Sequence, residues 1–263
     1  VVEHRDLYQR RALYYDIAFA RDVSREVQFL AALYERHAAR SLGSVLELGC
    51  GPGYHARAFA KRGVRALGLD LSGAMLALAC ERATAEGTAA EWLRGDMREF
   101  TLARPVDLAI CMLDGIDSLI TDDDVARHFE CVSRNLAPRG LYVIELSHPR
   151  DCAPEVYGNI HYEGERDGYR VAIDWGTNTP VRRSGSGPAN VQVTTRVWRD
   201  GDQDVFVDEA WESFLTADDV ARLARRSAAL GVVGWYGDFD LGCPFDDGPA
   251  SRRLIAVLQK RDA

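Results

Sequence analysis

The chain has 263 residues, with 32 Lys and Arg against 40 Asp and Glu, a formal net charge of −8. Its 47% hydrophobic and 27% charged residues are ordinary for a soluble globular protein, and the length allows one large domain or two small ones. The acidic balance argues against a general nucleic-acid or anionic-membrane binder, and no apolar run approaches the roughly 18–20 residues of a membrane span. Val1-Val2-Glu3-His4-Arg5 leads into no apolar segment of the signal-peptide kind. The six cysteines form no Cys-x-x-Cys pair, so zinc and redox motifs lack support and a cytoplasmic chain with unpaired thiols is expected.

In chain order, the first forty residues read as helical, with no glycine or proline before Gly43. A strand at Val45-Leu46-Glu47-Leu48 runs into a glycine-rich turn and a helix through Ala56 to Lys61. Val64 to Leu69 is a second strand, closed by Asp70, and Ser72 caps a helix from Ala74 to about Glu86. Val106 to Leu113 and Leu141 to Leu146 are continuous apolar strands, as in a parallel sheet buried on both faces. Between them Thr121 opens a helix that Pro138-Arg139-Gly140 ends.

The pattern then changes. From Cys152 to Glu212 helical periodicity is scarce, and two β-prone runs flank Asp200-Gly201, a hairpin signal. We read an inserted antiparallel layer, poor in core residues, with a mobile tip at Ser184 to Pro188. Thr216-Ala217-Asp218-Asp219 has capping-box spacing, with Asp at the third position. Two last strands, Val232 to Asp238 and Leu254 to Leu258, are joined without a helix and are therefore antiparallel. The expected organisation is a helical cap over 1–42, an α/β core over 43–151, a β lid over 152–212 and a return to the core over 213–263.

The chemistry starts at Glu47-Leu48-Gly49-Cys50-Gly51-Pro52-Gly53. Glycines at alternate positions of a strand-to-helix turn let backbone approach a ligand that a Cβ would block, and the turn lies where open α/β sheets bind ligands. Asp70, closing the next strand, suits a ribose diol because a carboxylate accepts from both hydroxyls. Gly51 to Ala56 also satisfies the dinucleotide fingerprint, but that pattern gives no reason for Glu47 and Gly49, and no second nucleotide-binding half follows.

The order Glu47, Gly49, Gly51, Gly53 resembles the first motif of class I S-adenosylmethionine-dependent methyltransferases. That resemblance implies a Rossmann-like, seven-stranded, mostly parallel sheet with an antiparallel last strand. It implies S-adenosylmethionine as cofactor and S-adenosylhomocysteine as product, with no metal. Asp70 would hold the ribose, Asp96 the adenine amino group, and Met97 the adenine ring; Cys111 and Met112 would meet the methionine portion, and Cys50, Leu71 and Met75 complete the set. Tyr14-Tyr15-Asp16, Gly95-Asp96-Met97-Arg98 and Cys111-Met112-Leu113-Asp114 further resemble small-molecule N-methyltransferases of the glycine/sarcosine and amino-sugar type. In that group an N-terminal tyrosine, here Tyr15, closes over the cofactor.

The acceptor is accordingly expected to be a small-molecule amine, with an alcohol or phenol oxygen as competitor and an NAD-dependent oxidoreductase as the more distant alternative. No nucleic acid or membrane is expected, and a homodimer is left open. Adjacent Tyr14 and Tyr15 point in different directions on a helix, so one packs in the core while the other reaches the site. Asp114 and Asp117 follow the fourth strand, where they would attract a cationic amine. His148, just after the fifth, is the imidazole best placed to take its proton. His161, Trp175, Arg196 and Trp211 are lid candidates, whereas Trp92 and Trp235 are expected to be structural.

Overall fold

The structure is a computed structural model, described here for residues 6–152, 160–177 and 188–261. Seven strands form one sheet: β1 (Ser44–Leu48), β2 (Arg65–Asp70), β3 (Ala90–Arg94), β4 (Val106–Cys111), β5 (Leu136–Ser147), β10 (Leu230–Tyr236) and β11 (Arg253–Lys260). Their order is β10-β11-β5-β4-β1-β2-β3. Neighbours from β5 to β3 pair in parallel, whereas β11 runs antiparallel to both β5 and β10. The chain builds outward from β1 to β3 on one side, then returns to build β4 and β5 on the other. The carboxyl edge between β1 and β4 is therefore the topological switch point, where such sheets leave a crevice.

Side-chain alternation along β1 sorts the core. Leu46 and Leu48 join Phe129 and Tyr142 under α6 (Asp122–Asn135), whereas Val45 faces Leu30 and Phe59 under α3 (Ser24–Ala38) and α4 (Tyr54–Lys61). Helix starts follow the expected chemistry. Ser72 accepts the Met75 N–H ahead of α5 (Gly73–Glu86), Thr121 accepts that of Asp124, and Thr216 with Asp219 completes a capping box on α7 (Ala217–Ser227). Among the described residues no helix is long and apolar enough to cross a membrane.

The N-terminal segment is helical as expected, in three helices, α1 (Asp6–Gln9), α2 (Ala12–Phe19) and α3, and the Asp22 carboxylate accepts both the Ser24 N–H (2.9 Å) and its hydroxyl, turning the chain before α3. Two expectations are corrected. Pro138-Arg139-Gly140 does not end a helix: α6 stops at Asn135, and these residues lie in an irregular stretch of β5, whose pairing with β4 jumps from Leu136 to Leu141. The insertion is not poor in core. Its strands β6 (Ile160–Arg166), β7 (Tyr169–Thr177), β8 (Ala189–Arg199) and β9 (Asp202–Glu212) form an antiparallel sheet, burying Val171, Ile173, Val191, Val193 and Val197 against Leu7, Ile17, Ala18 and Phe19.

The hairpin at Asp200-Gly201 is as expected, and Asp167-Gly168 makes a second one, with both central residues of each turn at positive φ. β6 lies so close to α2 that a Cβ on Gly164 would stand 2.0 Å from the Ile17 carbonyl oxygen. Ser184 to Gly187 of the expected mobile tip lie outside the described residues.

Candidate active site

The turn after β1 carries Gly49, Gly51 and Gly53 at φ 62°, 49° and 71°. Gly53 is held hardest, because a Cβ there would stand 2.3 Å from the Trp92 indole, which also fills the space left by Gly68. Gly49 and Gly51 open toward the sheet edge instead. Their nearest neighbours on that side are the Met97 methyl and the Tyr15 ring, at ordinary contact distances of 3.6 and 3.9 Å from the Cβ positions. Residues from α2 and from the segment after β3 thus bracket one glycine turn. Tyr14 turns the other way, against Tyr169 and Phe206 of the second sheet.

Beneath the turn, Glu47 is 5% exposed and is committed to protein partners. Its Oε2 accepts the Ala56 N–H (2.8 Å), supplying the cap that Gly53 cannot give to α4, and its Oε1 meets His55 Nδ1 at 2.9 Å. The other ring nitrogen of His55 is bonded to Glu26 at the start of α3, and Arg21 pairs with Glu26 in turn. Burial alone would lower the His55 pKa, but hydrogen bonds to Glu26 and Glu47 and their charges raise it to about 9. The imidazolium therefore ties α3 to the floor of the glycine turn.

Asp70 spans the turn from the next strand, accepting the Gly51 N–H on Oδ2 and the Ser72 N–H on Oδ1, both at 2.8 Å. Asp96, beyond β3, is engaged by the Arg98 guanidinium and backbone, which hold its carboxyl below the usual range. The residue that sequence reasoning missed here is His128. Burial drives its pKa down to about 4, so it is neutral, donating from Nδ1 to the Met97 carbonyl (2.8 Å) and accepting the Tyr142 hydroxyl at Nε2. That bond sets the height of Met97 over the glycine turn.

A second group of charges lies at the ends of β4 and β5. Asp114, at φ 57°, accepts the backbone N–H and the hydroxyl of Ser147. Burial raises its pKa to about 6, Arg253 opposing and Glu145 adding to the rise. Glu145 accepts from the Leu113 N–H (2.6 Å) and pairs with Arg253 at 3.1 Å. It was legible as the lone acid in the apolar run Val143-Ile144-Glu145-Leu146. Asp117 is buried with Oδ1 lacking a hydrogen-bond partner, and burial pushes its pKa up. Tyr162 of β6, also missed, feels the charges of Asp114, Arg253 and Glu145. It stacks on Phe19 (3.9 Å between ring centres), and Phe19 stacks on Tyr15 (4.2 Å), so three rings lead from the glycine turn toward these carboxylates.

Other expected site residues sit elsewhere. His148 is 1% exposed with both ring nitrogens engaged, Nε2 toward the Asp246 carbonyl (3.0 Å) and Nδ1 accepting the Arg150 N–H (3.3 Å). Its bond to the Asp246 carbonyl ties the segment after β5 to a loop 98 residues on, which makes it a loop anchor in this geometry. The Cys50, Cys111 and Met112 side chains are buried, and burial raises both thiol pKa values. Met75 packs with Ala12 and Leu78 beneath Tyr8 and Tyr15. Leu71, 40% exposed, follows Asp70 at the rim. In the second sheet His161 and Arg196 both bond Asp174, Trp175 turns inward to Phe19, and Trp211 is half-exposed.

Residues 45–140 match the family model of a methyltransferase domain. The chain is similar to the dTDP-3-amino-3,6-dideoxy-alpha-D-glucopyranose N,N-dimethyltransferase of Streptomyces fradiae, 34% identical over 125 residues, 48% of this chain and 47% of that enzyme. It is also similar to the dTDP-3-amino-3,4,6-trideoxy-alpha-D-glucopyranose N,N-dimethyltransferase of Streptomyces venezuelae, 30% identical over 144 residues, 55% of this chain and 57% of that enzyme. The chain thus spans about half the length of these curated relatives. In fold it is similar to a solved S-adenosylmethionine-dependent methyltransferase from Clostridium acetobutylicum, with TM-score 0.76 and 17% identity over 96% of this chain and 98% of that one.

Proposed function

We propose, from the premise that residues 45–140 are a class I methyltransferase domain, that this chain methylates an amine nitrogen of a small molecule, an amino sugar in the first instance, using S-adenosylmethionine. The observation that carries the reading is the glycine turn opened between Tyr15 and Met97 with Asp70 across it. Amino-sugar chemistry enters from the printed activities of the two relatives.

The residues fit that cofactor. Gly49 and Gly51 would let backbone meet it, Asp70 would hold the ribose hydroxyls, and Asp96 and Met97 would hold the adenine. Tyr15 would cover it from α2. When bound, the cofactor supplies a methyl group on a sulfonium, open to in-line displacement. The chain then has to align the acceptor, exclude water and receive a proton, and alignment alone is worth roughly 7–11 kcal/mol in favourable cases. Asp114, with Glu145 behind it, would draw a cationic amine to the end of β4. We assign the proton to Asp114 in place of His148, because a carboxyl shifted to about 6 is ionised, yet still basic, near neutral pH.

Calorimetric titration with S-adenosylhomocysteine tests the cofactor half. Wild type should bind it, and Asp70→Ala should bind about 100-fold more weakly, the worth of two charge-assisted hydrogen bonds. Binding of NADH with none of the sulfur nucleotide would overturn the reading. The acceptor half predicts that kcat/KM on an amino-sugar acceptor climbs as pH rises through about 6, where Asp114 ionises. Asp114→Asn should lose that limb while keeping S-adenosylhomocysteine affinity; an unchanged limb assigns the proton elsewhere.

A further inference from the structure

We propose, resting on the amine-methylating reading above, that Arg253 and Tyr162 determine acceptor specificity by gripping a hydroxyl on the carbon next to the reacting nitrogen. The acceptor is then a vicinal amino alcohol. Arg253 opens β11 directly across from Ser147, the last residue of β5. Alternation along the two strands puts it on the face of Glu145, Val143 and Ile255, which is turned toward α3. Its Nε meets Glu145 Oε1 at 3.1 Å, and its side chain is 30% exposed. The two terminal nitrogens of the guanidinium make no hydrogen bond among the described residues.

Tyr162 reaches the same place from the inserted sheet. Its hydroxyl feels the charges of Asp114, Arg253 and Glu145 and makes no hydrogen bond among the described residues. The stack on Phe19 holds the ring, so the hydroxyl keeps its place. Asp114, by contrast, has both oxygens engaged by Ser147. Ser147 therefore stands between the two ends of the acceptor site, Asp114 bonded to it and Arg253 across from it in the ladder. A nitrogen drawn to Asp114 brings its neighbouring carbons against Arg253 and Tyr162.

Charge decides what sits on those carbons. Arg253 answers Glu145, Arg21 answers Glu26, and the His55 imidazolium answers Glu47. Asp114 has no ion-pair partner among the described residues, and a cationic amine closes that count. A carboxylate beside the amine would restore a negative charge where each of these cations is already matched. A hydroxyl asks only for a donor and an acceptor, which the guanidinium and the phenol supply without further charge. The pattern therefore favours an amino alcohol over an amino acid.

The test compares turnover of dTDP-3-amino-3,6-dideoxy-alpha-D-glucopyranose, whose amine has a hydroxyl on each side, with that of its 2,4-dideoxy analogue. S-adenosylhomocysteine affinity is measured by calorimetry on every protein. Wild type should prefer the hydroxylated sugar in kcat/KM by roughly 10- to 100-fold, the worth of a hydrogen bond to a charged group. Arg253→Met should lose that preference and keep S-adenosylhomocysteine affinity. Because the Arg253 charge holds the Asp114 pKa down, the rising limb of its pH profile should also move above the wild-type position. Arg253→Lys should restore the limb without the full preference, since it keeps the charge and loses the planar fork. Tyr162→Phe keeps the ring stack and should weaken the preference with the limb in place.

Equal rates on the two sugars in wild type, or an unchanged preference in Arg253→Met, overturn the proposal. So does a loss of S-adenosylhomocysteine affinity in Arg253→Lys with the preference intact, which assigns Arg253 to the cofactor. Wild type that binds S-adenosylhomocysteine but turns over neither sugar overturns the amine-methylating reading, and this proposal with it. Wild type that binds no S-adenosylhomocysteine overturns the cofactor reading instead.

Discussion

Glu47→Ala should unfold about 10 °C below wild type, the shift expected for a loss of 3–5 kcal/mol in a domain of this size. The acid of the glycine motif is here a buried brace. Removing it leaves the Ala56 N–H of α4 without its acceptor and takes one of two carboxylates from a buried imidazolium. Glu47→Gln retains an oxygen for the N–H and should lose about half as much, since only the charged part goes. The sign with pH follows from His55. Its folded pKa is raised to about 9 from 6.5, so its contribution is complete below pH 6.5 and is lost as pH rises through 9. Wild type should therefore lose on the order of 3 kcal/mol across that window, and Glu47→Ala much less. Calorimetric unfolding at pH 6, 7.5 and 9 checks both statements; equal pH slopes in the two proteins would show that His55 is neutral in the fold.

Gly53→Ala should abolish S-adenosylhomocysteine binding and destabilise the fold, for two separable reasons. The new Cβ would lie 2.3 Å from the Trp92 ring, and the residue would keep a φ of 71°. Overpacking of this kind costs about 1–3 kcal/mol, and a left-handed alanine about 1–2 kcal/mol more. Trp92→Leu removes the obstacle without touching the backbone. The double variant should recover the overpacking part of the loss and retain the backbone part, which denaturant unfolding of the four proteins of the cycle measures. If Trp92→Leu recovers nothing, the indole is not what makes glycine necessary.

The architecture was legible because its signals are local. Apolar runs, an acid closing β2, caps at Ser72, Thr121 and Thr216, and a glycine turn all fall within a few residues of the structure they specify. The glycine motif also placed the candidate site at the switch point. What stayed hidden depends on packing between distant segments. The brace made by His55 is hidden, because its partner Glu26 lies 29 residues away on a helix whose orientation no local pattern gives. His148 read as an available base because the loop carrying Asp246, 98 residues on, is what occupies it. Tyr162 and Phe19 meet only because β6 lies on α2. Arg82 and Arg166 converge on Asp16 from segments 84 residues apart, by the difference of their positions.

The contact at Gly164 bears on how such a fold could be recombined. With no Cβ between them, β6 and α2 meet backbone to backbone, and the interface is sealed by Leu7, Ile17 and Phe19 on one side and Val171, Ile173 and Val193 on the other. The inserted sheet and the N-terminal helices therefore make one inheritable piece, although some 140 residues of chain separate their sequences. A sheet borrowed from a relative would arrive without the helix it was shaped against. Change in either piece must then be matched at the other end of that separation, and a chimera that exchanges the inserted sheet has to carry residues 6–19 together with 160–212.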